Sequence, residues 1–450
     1  MRSFPLILLA GNGAALATSN HISSIAPLPE LKLPYGTWQA TAYDEDTDTY
    51  IFKNIRFAAP PVGQLRFAKP APPLLIEGVQ TGKIGNDCIS TTGWAFGAGS
   101  LGNLVNSVIP GAEDCLFLDV FVPKRAFLEG AAAKLPGNKQ QVYDGLAIVK
   151  QSNGSLIYVS GNYRLGALGF LGGKTAEENN MTNLGLWDQR AALEWTNKYI
   201  SLVGGDPENV SCWGESAGAG SVMLHLTAFG GKQDPLFKRA VIASPFLEPR
   251  TDRNGILEAN FRTFEAGAGC AGKGVACLRT ASLRNLENGS NAVFKASPDR
   301  AFAFGPIPDG QWMRQLPALE FQSGNHWKNL ESLIVSHVSN EADIFIPTSV
   351  TSNAKWQEYL TQWYPDQYSR MGGQHGVDVL ATYIGTKTGL SAAQNADKAF
   401  PAFAKAYQSY LLSQAKTGDP NMYRLKSGPS PTIPLEKVSF LQPDEEVTVL

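Results

Sequence analysis

Charge is scarce in this 450-residue chain: Asp, Glu, Lys and Arg together make up 17% of it, and the formal net charge at pH 7 is -2. That balance exerts no pull on nucleic acid or on an anionic membrane, and it suits a neutral small-molecule partner. No apolar run approaches the length of a membrane span, so no integral segment is expected. Internal repeats, charge blocks and low-complexity tracts are lacking too, which argues against arrays and long disordered tails. The five cysteines include no C-x-x-C or similar ligand spacing. No metal site is expected from them, and nothing in the chain asks for an organic cofactor.

What is present is an apolar fraction of 43%, enough for a sizeable core. The amino terminus has a positive start at Arg2, a short apolar stretch over residues 4–10 and an A-x-A-like site at Ala15-Leu16-Ala17. This reads as a secretory signal over residues 1–17, leaving a single domain over 18–450 in a secreted protein. Cysteine usage fits the same oxidising compartment. Asn153, Asn180, Asn209 and Asn288 each open an N-x-S/T sequon, and export makes them glycosylation candidates. Asn209 lies close to a core strand.

The pentapeptide Gly214-Glu215-Ser216-Ala217-Gly218 is a G-x-S-x-G pattern in the context that gives it meaning. The β-prone run Asn209-Val210-Ser211-Cys212-Trp213 leads in, and helix-compatible residues 219–228 lead out. A serine on such a strand-to-helix turn has its hydroxyl exposed, provided that small flanking residues let the backbone fold tightly.

The surrounding blocks resemble the type-B carboxylesterases, the cholinesterase and fungal lipase family. Gly204-Gly205-Asp206-Pro207-Glu208-Asn209-Val210 is similar to the stretch that precedes the family's nucleophile. The blocks at 57–67, 113–120, 162–166, 185–193 and 417–421 follow in the family's order. The resemblance implies an α/β-hydrolase fold: a mostly parallel central sheet flanked by helices. It also implies disulfides Cys88 to Cys115 and Cys270 to Cys277, leaving Cys212 as a small buried thiol. Arg66 would pair with Glu113, and Arg164 with Asp188.

A serine hydroxyl needs a base to take its proton and an acid to orient that base. Four histidines follow the elbow: His225, His326, His337 and His375. His225 falls on the helix leaving the elbow and His337 within an apolar strand over 333–338, where structural roles are the better reading. His375 sits in a glycine-rich turn that resembles the family's histidine turn. Glu341, in Ser339-Asn340-Glu341-Ala342-Asp343, matches the position of the triad acid, with Asp343 as the alternative. The resemblance therefore implies a serine esterase or lipase. Ser216 attacks, His375 relays the proton, Glu341 orients the imidazole, and the Ala217 amide contributes to the oxyanion hole. The partner is an ester or lipid small molecule; oligomeric state is not encoded in any motif.

Two departures bear on activity. The family's Val- and Ile-rich strand ending in a glycine run is replaced here by Ala131-Ala132-Ala133-Lys134-Leu135-Pro136 and then Gly137-Asn138-Lys139-Gln140. A central strand and the glycine amides are thus expected to be absent. The stretch between Glu341 and His375 is also short, so part of the helical cap is expected to be lost. The flanks match well on both sides, as if two internal pieces had been cut out. Alternative readings are a catalytically silent cholinesterase-like binding protein, an esterase tailoring a secondary metabolite, or a product that does not fold.

Overall fold

The computed structural model describes residues 28–89, 111–129, 131–136, 145–247, 250–296 and 303–337. The expected triad positions Glu341 and His375, the signal segment and the short stretch before His375 lie outside them.

Among the described residues eleven strands are formed: β1 (Glu30–Leu33), β2 (Gly36–Gln39), β3 (Ala42–Asp44), β4 (Thr49–Arg56), β5 (Val79–Gln80), β6 (Phe117–Pro123), β7 (Ala131–Pro136), β8 (Leu156–Gly161), β9 (Gly205–Glu215), β10 (Arg239–Ala243) and β11 (Ser332–Ser336). Strands β1, β2 and β5 make a small sheet, and the other eight form one sheet in the order β11-β10-β9-β7-β8-β6-β4-β3. Neighbours from β11 through β8 pair in parallel, and from β8 to β3 they pair antiparallel. Alternate residues feed opposite faces. Ile157, Val159, Val210, Cys212, Ala240 and Ile242 enter one core, whereas Leu156, Tyr158, Trp213 and Val241 enter another on the far side. Strands buried on both faces must be apolar throughout, which is why β8 reads Leu-Ile-Tyr-Val without polar alternation.

The expected loss of a central strand is not what is found. Strand β7 runs between β8 and β9, with Ala132 paired to Leu156 on one side and Leu135 to Cys212 on the other. Alanine and lysine have little strand preference of their own. A slot flanked by two open ladders nevertheless satisfies every backbone donor and acceptor of an extended chain, and that requirement overrides propensity. Pro136, which has no N–H to give, stands at the last position, where a ladder tolerates it.

The helix Leu184–Tyr199 buries Ala192, Leu193 and Trp195 in the same core as β8 and β9. Beyond the sheet a helical layer gathers Phe261, Phe264, Leu278, Val293 and Trp312 into a separate core. Two covalent links brace the layers internally and two ion pairs join their elements, each as the resemblance implied. Cys88 bonds Cys115 and Cys270 bonds Cys277, and Cys212 is a buried thiol on β9. Arg66 holds Glu113 through two bonds of 2.6 and 2.7 Å and donates to the carbonyls of Leu278, Arg279 and Ala281. Arg164 holds Asp188 in a wholly buried pair.

Candidate active site

Strand β9 carries its chain straight into the elbow. At Ser216 the backbone turns to φ 54°, ψ -121°, and the helix Ala217–Leu226 begins at the next residue. A non-glycine residue in that region costs about 1–3 kcal/mol, so the fold must hold it there. Three backbone bonds do so. The Ser216 N–H donates to the Ala243 carbonyl at 3.0 Å, continuing the β9–β10 ladder. The Ser216 carbonyl accepts from Gly220 N at 2.9 Å and from Phe246 N at 3.0 Å.

The glycines around the turn are not equivalent. A Cβ on Gly214 would lie 2.3 Å from the Gly218 carbonyl oxygen, so strand and helix meet there too closely for any side chain. At Gly218, no heavy atom of the described residues lies within 4 Å of such a Cβ. A third glycine, outside the pentapeptide, is as restricted as the first. At Gly220 the Cβ would be 2.3 Å from the Phe246 carbonyl oxygen. Neither Gly220 nor Phe246 stood out in the sequence. A Gly-x-Gly repeat at 218–220 was the available signal for the former, whereas the latter is brought in only by the fold.

Ser216 is 1% exposed, and its Oγ has no hydrogen-bond partner among the described residues. Ala217 follows at the first position of the helix, where the amides have no intrahelical acceptor and the helix dipole favours negative charge. The arrangement can present a nucleophile and one donor to a developing oxyanion.

None of the described histidines bonds Ser216. His326 and His337 are partly or fully exposed, and β11 ends at Ser336, so His337 lies just past the strand rather than within it. His225 is buried on the elbow helix, with Nε2 3.1 Å from Gln189 Oε1 and its ring edge-on to Trp312. Gln189 Nε2 donates to Ser221 Oγ, which in turn donates to the Ala217 carbonyl. With the Gln189 amide so oriented, His225 carries its proton on Nε2. Burial, helped by the charge of Arg190, pushes its pKa down to about 3.

This histidine makes stability pH-dependent. Unfolded, it takes up a proton near pH 6.5; folded, it does not until about pH 3. Its contribution is therefore fully present above about 6.5 and is lost as pH falls, by about 1.4 kcal/mol per unit. Urea melts at pH 7 and pH 5 should show a loss in the wild type that His225→Phe lacks, on the order of 2 kcal/mol. Equal pH slopes in the two proteins would refute the assignment.

A mixed α/β sheet, parallel around the serine strand, with that serine on a strand-to-helix elbow defines an α/β-hydrolase. The chain belongs to the carboxylesterase family, whose profile matches residues 28–424. It is 33% identical to the "Secreted lipase" of Arthroderma benhamiae, over 97% of this chain and 90% of that one. It is 30% identical to "Carboxylesterase patB" of Penicillium expansum, over 74% and 69%. Among solved structures, Aspergillus niger EstA superposes with a TM-score of 0.74 over 90% of this chain and 91% of its own, at 24% identity. A structure named PNB esterase gives 0.69 over 87% and 91%, at 22% identity. These two likenesses concern the fold.

Proposed function

We propose that this chain is a secreted serine carboxylic-ester hydrolase working through an acyl-enzyme, with Ser216 as nucleophile, His375 as general base and Glu341 as its orienting acid. The observation that carries the reading is the Ser216 backbone, held in a costly conformation by three hydrogen bonds at the start of a helix. Ser216 attacks the ester carbonyl while His375 takes its proton. The Ala217 amide binds the oxyanion, and protonated His375 then delivers its proton to the departing alcohol. Water activated by His375 releases the acid. The names of the two relatives favour a lipid or small carboxylic ester as substrate. Hydrolysis of an activated ester, with covalent labelling by a fluorophosphonate, tests the reading; a wild-type chain that does neither overturns it.

The second reading, a family member that binds without hydrolysing, has its own support. Residues 137–144 after β7 read Gly-Asn-Lys-Gln-Gln-Val-Tyr-Asp, without the family's glycine run. The alignment with the secreted lipase extends over 509 positions, more than this chain's 450, so that relative carries segments with no counterpart here. Each oxyanion donor lost costs about 100- to 1,000-fold in turnover. A cooperative melt without labelling would favour this reading, and no cooperative melt would indicate a chain that does not fold.

Secretion carries a separate expectation. Asn153, Asn180 and Asn288 are exposed, whereas Asn209 lies half-buried on β9 and accepts a hydrogen bond from Arg239. In protein secreted from a eukaryotic host, removing N-glycans should lower the apparent mass. Asn153→Gln, Asn180→Gln and Asn288→Gln should each remove one part of that shift and Asn209→Gln none. A mass unchanged by the glycosidase would count against export.

A further inference from the structure

We infer that the turn after β10, through the Phe246 N–H, is a positioning element for the oxyanion amide; the inference rests on the hydrolase reading above. The donor in question is the N–H of Ala217, which belongs to the peptide unit whose carbonyl is that of Ser216. A peptide unit is planar, so whatever fixes its carbonyl direction fixes its N–H direction on the opposite side. The Ser216 carbonyl accepts two bonds. One, from Gly220 N at 2.9 Å, is the ordinary first bond of the helix. The other, from Phe246 N at 3.0 Å, crosses from a different segment of the chain. Together with the Ser216 N–H bond to Ala243, it leaves the peptide little freedom to rotate.

The turn is itself anchored on both sides. Ser244, at φ 46°, donates its N–H to the Ser336 carbonyl at the end of β11 at 2.7 Å. Gly220 lets the Phe246 carbonyl come within a distance that a methyl group would forbid. One residue pair therefore sets both the approach of the turn and the aim of the donor. Hydrogen bonds in series also polarise one another, so a second donor on the Ser216 carbonyl makes the Ala217 N–H a stronger donor toward an oxyanion. With the family's glycine run absent after β7, this amide is the one oxyanion donor carried over from the resemblance, and its aim matters correspondingly more.

The test replaces Phe246 by phenyllactic acid through amide-to-ester substitution, which deletes the N–H and keeps side chain and backbone preference. Phe246→Leu keeps the N–H and alters the ring. Kinetics on an activated ester and the rate of fluorophosphonate labelling are measured for both beside the wild type. The ester variant should lose about tenfold or more in kcat, within the 100- to 1,000-fold limit for losing an oxyanion donor outright, with KM little changed. Its labelling should slow in parallel, while Phe246→Leu, which keeps the N–H, should lose less kcat than the ester variant. Should the ester variant fail to fold, Gly220→Ala displaces the same turn and should show the same split between kcat and KM. An ester or Gly220→Ala variant with wild-type kcat overturns the positioning role alone, as does an equal fall in kcat for Phe246→Leu. A wild type that neither hydrolyses nor labels overturns the hydrolase reading and this inference with it.

Discussion

Ser216→Ala should abolish fluorophosphonate labelling and reduce ester hydrolysis to background, while leaving the urea midpoint at or above that of the wild type. In a triad hydrolase, loss of the nucleophile costs about a millionfold in kcat, the largest change any single substitution here should produce. Stability should not fall, because alanine keeps the Cβ that the turn already accommodates and removes a buried hydroxyl. That hydroxyl has no hydrogen-bond partner among the described residues, and burying an unpaired polar group costs about 1–3 kcal/mol. Active-site labelling read by mass spectrometry decides the matter. A label that persists in Ser216→Ala would move the nucleophile elsewhere, and a label lost together with the fold would leave the elbow a structural device.

The second large effect concerns stability. Asp188→Ala should cost about 3–5 kcal/mol, because it strands a buried guanidinium without its counter-charge. Asp188 is 0% exposed and accepts three bonds from one residue: from Arg164 Nε and Nη2, each at 2.7 Å, and from the Arg164 backbone N–H at 3.0 Å. Arg164 follows β8, and Asp188 lies on the helix Leu184–Tyr199, so the pair joins sheet to helix. Denaturant unfolding with the slope held constant measures the loss. Replacing both partners by apolar residues, Arg164→Met with Asp188→Leu, should recover most of it, since the pair's desolvation cost disappears with the pair. A single substitution costing under about 1 kcal/mol would mean that water reaches the pair. Activity should fall as well. Gln189, the next residue on that helix, bonds both Ser221 and His225 on the elbow helix, so loosening one helix loosens the other.

Several site features were legible before any fold was known, for identifiable reasons. Gly214 to Gly218 is a local pattern, complete within one turn, and the Gly214 contact with the Gly218 backbone explains why its first residue must be glycine. The disulfides and the pairs Arg66–Glu113 and Arg164–Asp188 were implied by the family resemblance, and all four links are present. Asp114, by contrast, takes two bonds from Arg56 at 2.6 and 2.9 Å. Its partner lies on β4, and nothing in the local sequence marks the pair.

The chain's local chemistry thus determined the strand-turn-helix around Ser216, the unbroken apolar run that lets β8 be buried on both faces, and the low charge that suits a neutral substrate, because each is a property of the residues themselves and of their near neighbours. Only the tertiary structure decided that Ala131-Ala132-Ala133-Lys134-Leu135-Pro136 is a central strand, that Gly220 must be glycine, and that Phe246 supports the peptide bearing the Ala217 amide. The physical reason is the same in all three. Backbone donors and acceptors must be paired once water is excluded, and the partner that pairs them is set by which distant segment the fold brings alongside, irrespective of side-chain preference.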